Sequence, residues 1–412
     1  MVQHIYNFLI YVAWFGIRVA SLASPKLKLF VSGRKDVFKI LQSKIKSADK
    51  TIWIHVASLG EFEQGLPVLQ AIKSTYSDHK LVLTFFSPSG YEVKKNTPAA
   101  DVVSYLPFDT RANADRFLKI VQPELALLVK YEIWPNYLDG LRKRAVPTLL
   151  ISALFSEHQV YFKPWGGYMR NKLGAFSHFF VQDQNSKKLL STIGFDNATV
   201  SGDTRFDLVA EILKRDNTLD FMEAFCTDAP CFVAGSTWPE DEALLVDFIN
   251  SSDKTVKYVI APHDIKEAHI QKLISSIEKS TVRYSEIGQK DVSQYEVLVI
   301  DTIGLLTKIY SYASFAYVGG GFATGLHNTL EPAAFGIPVI IGPAYKGFKE
   351  AEELVDQGGI ISVGSAKEFF NVANHFLMDT DSVLKTGQIN SVYIKENVGA
   401  TETIVRHIKT LL

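Results

Sequence analysis

The chain has 412 residues, 47% of them apolar, with 43 Lys and Arg against 44 Asp and Glu. That length suits two domains of roughly 200 residues each. The apolar share excludes a disordered chain, and a net charge of −1 excludes a protein coated in nucleic acid. Two cysteines, Cys226 and Cys231, are too few for a disulfide scaffold and lack the partners of a zinc site. They read as reduced thiols in a cytosolic body.

The charge is unevenly spread. Residues 1–48 carry Arg18, Lys26, Lys28, Arg34, Lys35, Lys39, Lys44 and Lys46 against Asp36 alone, a net +7, so the remainder sums to −8. The basic end adjoins the most apolar run, residues 5–23, which is about as long as a bilayer crossing but contains Arg18. A cleaved signal peptide needs positive charge ahead of such a run, and only His4 precedes it. Three readings stay open: a single-pass anchor with Arg18 snorkelling, a helix lying in the interface, and a buried core helix. The basic cluster directly after the run favours membrane association of residues 1–24 and places the bulk of the chain on the cytoplasmic side.

From residue 50 onward, short β-branched or aromatic runs alternate with amphipathic stretches, the pattern of a parallel doubly wound sheet. The strand candidates are 51–57, 81–86, 102–106, 125–129, 148–151, 178–181 and 199–201. Around 203–229 the rhythm breaks in Asp-, Glu- and Asn-rich sequence that ends at Pro230. It then restarts at 231–234, 258–261, 281–284, 297–300, 315–318, 339–341 and 360–363, and helices close the chain. This predicts two α/β domains, 25–205 and 206–412, with ligands at the carboxyl ends of the strands and the cleft between domains as the default site.

The loops after those strands hold the chemistry. Glu61 follows the first strand and opens its helix. It reads either as a general base or as a first-turn carboxylate favoured by the helix dipole, which would lower its pKa. Glu132 lies in the loop Tyr131-Glu132-Ile133-Trp134-Pro135-Asn136. In the second half, Gly319, Gly320 and Gly321 follow a strand and precede Gly325-Leu326-His327-Asn328-Thr329-Leu330-Glu331. Such glycines let backbone amides approach an anion, His327 and Asn328 offer donors, and Glu331 could accept two ribose hydroxyls. Neither a Walker loop nor GxGxxG is present. Gly235-Ser236-Thr237, Pro262-His263 and Thr302-Ile303-Gly304 lie at equivalent strand ends. Arg205 reads as a phosphate clamp or as an ion-pair partner of Asp203 or Asp207. No His, Cys and carboxylate set has metal spacing, so no bound metal or other cofactor is expected.

Taken in order, HVASLGEFEQGLP, YEIWPN, GDTRFD, VAGSTWPEDE, DTIGLLTKIYSYASFAYVGGG and HNTLEPAAFGIPVIIGP resemble the Kdo (3-deoxy-D-manno-octulosonic acid) transferases of Gram-negative lipopolysaccharide synthesis. The resemblance implies a GT-B fold, two Rossmann-like domains facing across a cleft with an N-terminal hydrophobic helix. It implies inverting, metal-free transfer of Kdo from CMP-Kdo to a lipid A precursor at the cytoplasmic face of the inner membrane. By this match Glu61 is the general base and Glu132 the second functional acid. CMP-binding positions fall on Pro262 and His263, Thr302 to Gly304, and Asn328 to Glu331. Lys26, Lys28, Arg34 and Lys35 would form a basic mouth for the phosphorylated lipid. The chain departs from the family pattern at His263 (commonly Arg), Arg205 (commonly Lys), Leu305 (commonly acidic) and Gly325-Leu326 (commonly Gly-Gly). With His263 in place of Arg, donor affinity is expected to fall above about pH 7. The competing expectations are a UDP-sugar transferase or epimerase of the same fold, and a nucleotide-sensing scaffold on the membrane.

Overall fold

The structure is a computed structural model and describes residues 2–412 except Asp228, Gln289 and Thr324. Fourteen strands form two seven-stranded parallel sheets. The first holds β1 Lys50–Val56, β2 His79–Phe85, β3 Val102–Tyr105, β4 Pro123–Val129, β5 Thr148–Ala153, β6 His178–Val181 and β7 Ala198–Val200. The second holds β8 Cys231–Thr237, β9 Lys257–Pro262, β10 Thr281–Arg283, β11 Val297–Val299, β12 Phe315–Val318, β13 Val339–Ile341 and β14 Ile360–Ser362. Each run read as a strand lies on one of these. The central strands are buried on both faces, which is why they appear in sequence as continuous apolar runs and not as alternations.

The orders are β3-β2-β1-β4-β5-β6-β7 and β10-β11-β9-β8-β12-β13-β14. In each sheet the chain starts in the middle, fills one side, then crosses to the other side of its first strand. Connections leaving β1 and β4 therefore diverge, as do those leaving β8 and β12. Such switch points open a crevice at the carboxyl ends of the strands.

Two compact units result. One runs to Leu208 and regains Val398–Leu412; the other is Val209–Asn397. The expected boundary gave all of 206–412 to the second domain, and the last segment departs from it. Ile404 and Ile408 of the helix Ala400–Ile408 are fully buried among residues of β1, β2, β4 and β5. The Asp207 carboxylate caps that helix, accepting from the Gly399 N–H at 2.6 Å and the Thr401 N–H at 2.7 Å.

Residues 2–20 form one helix, Val2–Ala20, and none of its residues is buried, so it is not a core helix. It docks through polar and aromatic groups. Gln3 bonds Asn136, Tyr168 and Lys172, the Tyr6 hydroxyl donates to Asp109 at 2.7 Å, and Trp14 stacks on Phe108. Ile5, Phe8, Leu9, Val12, Phe15 and Val19 face solvent as a stripe at helical spacing. Among the described residues no helix is long and apolar enough to cross a membrane.

Candidate functional site

In the first unit, both carboxylates sit at the switch point. Glu61 starts the helix Leu59–Thr75 directly after β1, and Glu132 follows β4, which pairs with β1. Glu61 Oε2 accepts the Ala57 N–H at 2.5 Å. Burial and the charge of Glu132 push Glu61 up to about 7, against the opposing pull of the Ala57 N–H and Lys130. The dipole expectation, a lowered pKa, is thereby overturned: desolvation and a like charge outweigh the helix end.

Glu132 is buried and held on one oxygen by two donors. Its Oε2 lies 2.9 Å from His55 Nε2 and 2.7 Å from the Trp134 indole N–H. His55 is a fully buried β1 residue whose Nδ1 lies 2.8 Å from the Thr84 hydroxyl, which in turn accepts from the Trp53 indole at 2.8 Å. This chain of bonds fixes the Glu132 carboxylate, and with it a negative charge beside Glu61. Lys130, between β4 and Glu132, has a left-handed backbone (φ 61°), a conformation unfavourable for a side chain with Cβ and one that redirects the chain at the strand tip.

In the second unit, β8, β9 and β12 bring Ser236, His263 and Gly319–Gly321 to one edge. Ser236 sits in a bulge with φ 55°. The glycines answer to crowding. A Cβ on Gly319 would come 2.4 Å from the Ser236 carbonyl oxygen, and one on Gly320 2.1 Å from the Gly325 carbonyl oxygen. The Gly320 N–H does not wait for an outside anion; it donates to Asp241 Oδ2 at 2.8 Å. Asp241, fully buried, also accepts the Trp238 N–H at 2.9 Å and the Tyr317 hydroxyl at 2.6 Å. A carboxylate of the protein thus occupies the anion cradle expected at Gly320.

Glu331 is half-buried, which raises its pKa, and each of its oxygens has one donor: Thr307 Oγ1 at 2.7 Å and Asn328 Nδ2 at 3.2 Å. Each oxygen keeps a second lone pair for a ligand hydroxyl. Asn328 is exposed, whereas Thr329 and Leu330 are buried and support the turn. Pro262 is buried at the end of β9, and His263 is exposed beside it. Thr302 is half-buried, Ile303 is exposed, and Gly304 (φ 98°) makes the turn into the short helix Leu306–Ile309.

The basic residues divide. Lys26, Lys28 and Lys35 are exposed. Arg34 is not part of a basic mouth: it is buried, donates to the carbonyls of Phe30, Leu106 and Phe86, and lies against the rings of Phe30, Phe86 and Tyr105. Its burial lowers its pKa to about 9. Arg205 belongs to the first unit, where its guanidinium pairs with Asp203 at 2.8 Å.

The sequence model of the 3-deoxy-D-manno-octulosonic-acid transferase (kdotransferase) family matches residues 33–208. A 3-deoxy-D-manno-octulosonic acid transferase of Haemophilus influenzae is 26% identical over 373 residues, 88% of this chain and 87% of that protein. One of Aquifex aeolicus is 26% identical over 325 residues, 77% of this chain and 83% of its own. Over most of its length the chain is similar to Kdo transferases. Kdo transferases are glycosyltransferases, and this chain has the GT-B type of fold. It aligns with a UDP-GlcNAc 2-epimerase from Neisseria meningitidis at TM-score 0.62 and 17% identity, over 88% of this chain and 100% of that one. It aligns with MurG of Acinetobacter baumannii at TM-score 0.54 and 12% identity, over 88% and 99%.

Sequence reasoning did not single out His55, Trp238 and Asp241, and it named Trp134 only as part of the loop around Glu132. All lie inside the motifs HVASLGE, YEIWPN and GSTWPEDE. Asp241 carried one local signal, an acid in the first turn of the helix opened by Pro239, where it caps the Trp238 backbone N–H, whereas its bond to Gly320 and the burial of His55 left none. Among the described residues, no group of three or more His, Cys, Asp or Glu side chains is placed to hold a metal ion.

Proposed function

We propose that the protein transfers Kdo from CMP-Kdo to a lipid A precursor, with Glu61 as general base. The observation that carries this reading is a carboxyl at the β1 switch point whose pKa is pushed to about 7, where it can both hold and release a proton at physiological pH. Ionised Glu61 takes the proton of an acceptor hydroxyl. That oxygen forms the new bond to the Kdo anomeric carbon, the bond from that carbon to the CMP phosphate breaks on the opposite face, and CMP leaves. One base suffices for such an inversion. Glu132, held by His55 and Trp134, keeps the negative charge that tunes Glu61.

The second unit supplies the donor site, with Glu331 for the ribose and the edge of His263 and His327 for the phosphate. The transfer as proposed uses no bound metal. The exposed stripe of the helix Val2–Ala20, beside exposed Lys26 and Lys28, supports a helix lying on the cytoplasmic face of the inner membrane, where the acceptor resides. Incubation with CMP-Kdo and a lipid A precursor, read by product mass, tests the assignment. A mass gain of one or more Kdo units is expected. No gain, together with thermal stabilisation by UDP but not by CMP, would overturn it.

A further inference from the structure

Three rings meet at the carboxyl ends of β8 and β9. His263 stacks on Trp238 at 4.6 Å and lies 4.7 Å from His327 between centroids. The Trp238 and His327 rings are inclined by only 14°, and Trp238 Nε1 lies 2.9 Å from His327 Nε2. An indole nitrogen can only donate, so His327 Nε2 must be the acceptor and the proton of the neutral ring sits on Nδ1. Near-coplanar rings suit such an in-plane bond. Nδ1 itself has no hydrogen-bond partner among the described residues.

The donor of that bond is itself pinned. The backbone N–H of Trp238 donates to Asp241, the same carboxylate that accepts the Gly320 N–H. A Cβ at Gly320 would approach His327 Cδ2 to 3.1 Å, so the turn abuts the edge of the imidazole next to Nε2. Burial and the neighbouring His263 lower the His327 pKa against the pull of Asp241, which favours the neutral ring.

We propose that Trp238 is a positioning residue that holds His327 in the Nδ1–H form, as a fixed neutral hydrogen-bond donor to an anionic oxygen of the nucleotide sugar. The ligand in this proposal rests on the reading of the second unit as the CMP-sugar site. The other tautomer would turn a lone pair toward the phosphate and repel it, and protonating Nε2 would break the bond to Trp238.

Nitrogen-15 NMR of histidine-labelled full-length protein, assigned against His327→Asn, reports the tautomer directly. The expected spectrum has His327 protonated on Nδ1 at pH 7. In Trp238→Phe, which keeps a ring but loses the N–H, both tautomers should appear and CMP affinity should fall about tenfold. Protonation on Nε2 in the wild type, or unchanged tautomer and CMP affinity in Trp238→Phe, overturns the role of Trp238. The expected tautomer with no CMP binding by the wild type overturns the ligand, and with it the nucleotide reading of the unit.

Discussion

Glu61 and Glu132 show how two carboxylates at one switch point come to sit in different environments. Glu132 has two donors on one oxygen, whereas Glu61 has a single backbone N–H and a like charge nearby. If Glu61 is the base proposed above, it must be ionised to accept a proton, and kcat/KM should rise with pH through about 7 and level above it. Glu132→Gln removes the like charge and should move that midpoint to lower pH; an unmoved midpoint in a rate profile would deny the coupling. Glu61→Gln should cut transfer by about a thousandfold while leaving the CMP titration unchanged. The raised pKa also has a stability sign. Between the ordinary carboxylate range and about 7 the folded state binds more protons than the unfolded chain, so stability falls as pH rises through that window. Glu61→Gln should therefore be more stable than wild type above pH 7, measurable by urea titration. The position of Glu61 after a strand was readable in sequence; its pKa was not, because the residue that shifts it, Glu132, is supplied by a different strand.

At the scale of elements, the glycine turn after β12 and the helix Val2–Ala20 both carry a message that composition obscured. The turn looks like an anion cradle but is closed by Asp241. Asp241→Asn keeps one oxygen for the two backbone N–H groups that share Oδ2, but it removes the charge and puts an NH2 where Oδ1 accepts the Tyr317 hydroxyl. A loss of about 2–4 kcal/mol and weaker CMP binding are expected, read by denaturation and by titration. The N-terminal helix sets its polar and aromatic groups inward and its apolar stripe outward, the reverse of a core helix. The double variant Phe8→Ser, Phe15→Ser should keep the wild-type Tm, because neither side chain is packed, and lose recovery on anionic vesicles. Retained vesicle binding would sink the interfacial role of that stripe. Arg34 belongs to this scale as well. As one of eight cations it looked available to a ligand, but its three carbonyl partners come from residues far apart in the chain.

Across the whole molecule, the chain end returns to the unit where it began. Ile404 and Ile408 complete the first core, and the His407 ring lies tilted against His178, 4.5 Å between centroids. Burial and His407 lower His178 to about 4. The unfolded chain then binds a proton that the folded one refuses, so this contribution is present above the ordinary histidine pKa and is lost as pH falls from there toward about 4. His178→Phe should flatten the stability profile over that interval, and a slope equal to wild type would remove His178 as its source. Deleting 398–412 should destabilise the first unit by exposing its core, although the second unit lies between them in sequence.

The sequence by itself determined the strands, their parallel two-sheet arrangement, the placement of Glu61 and Glu132 after strands, and the resemblance to Kdo transferases. Continuous apolar runs can be buried only within covered parallel sheets, and the ordered motifs span most of the chain. Tertiary structure alone decided which polar groups are spent and which are free. It gave Asp241 to the glycine turn, Arg34 to three carbonyls, Glu132 to His55 and Trp134, and the C-terminal helix to the first core. Hydrogen bonds and desolvation depend on neighbours brought together by the sheet, and spacing along the chain carries no record of them.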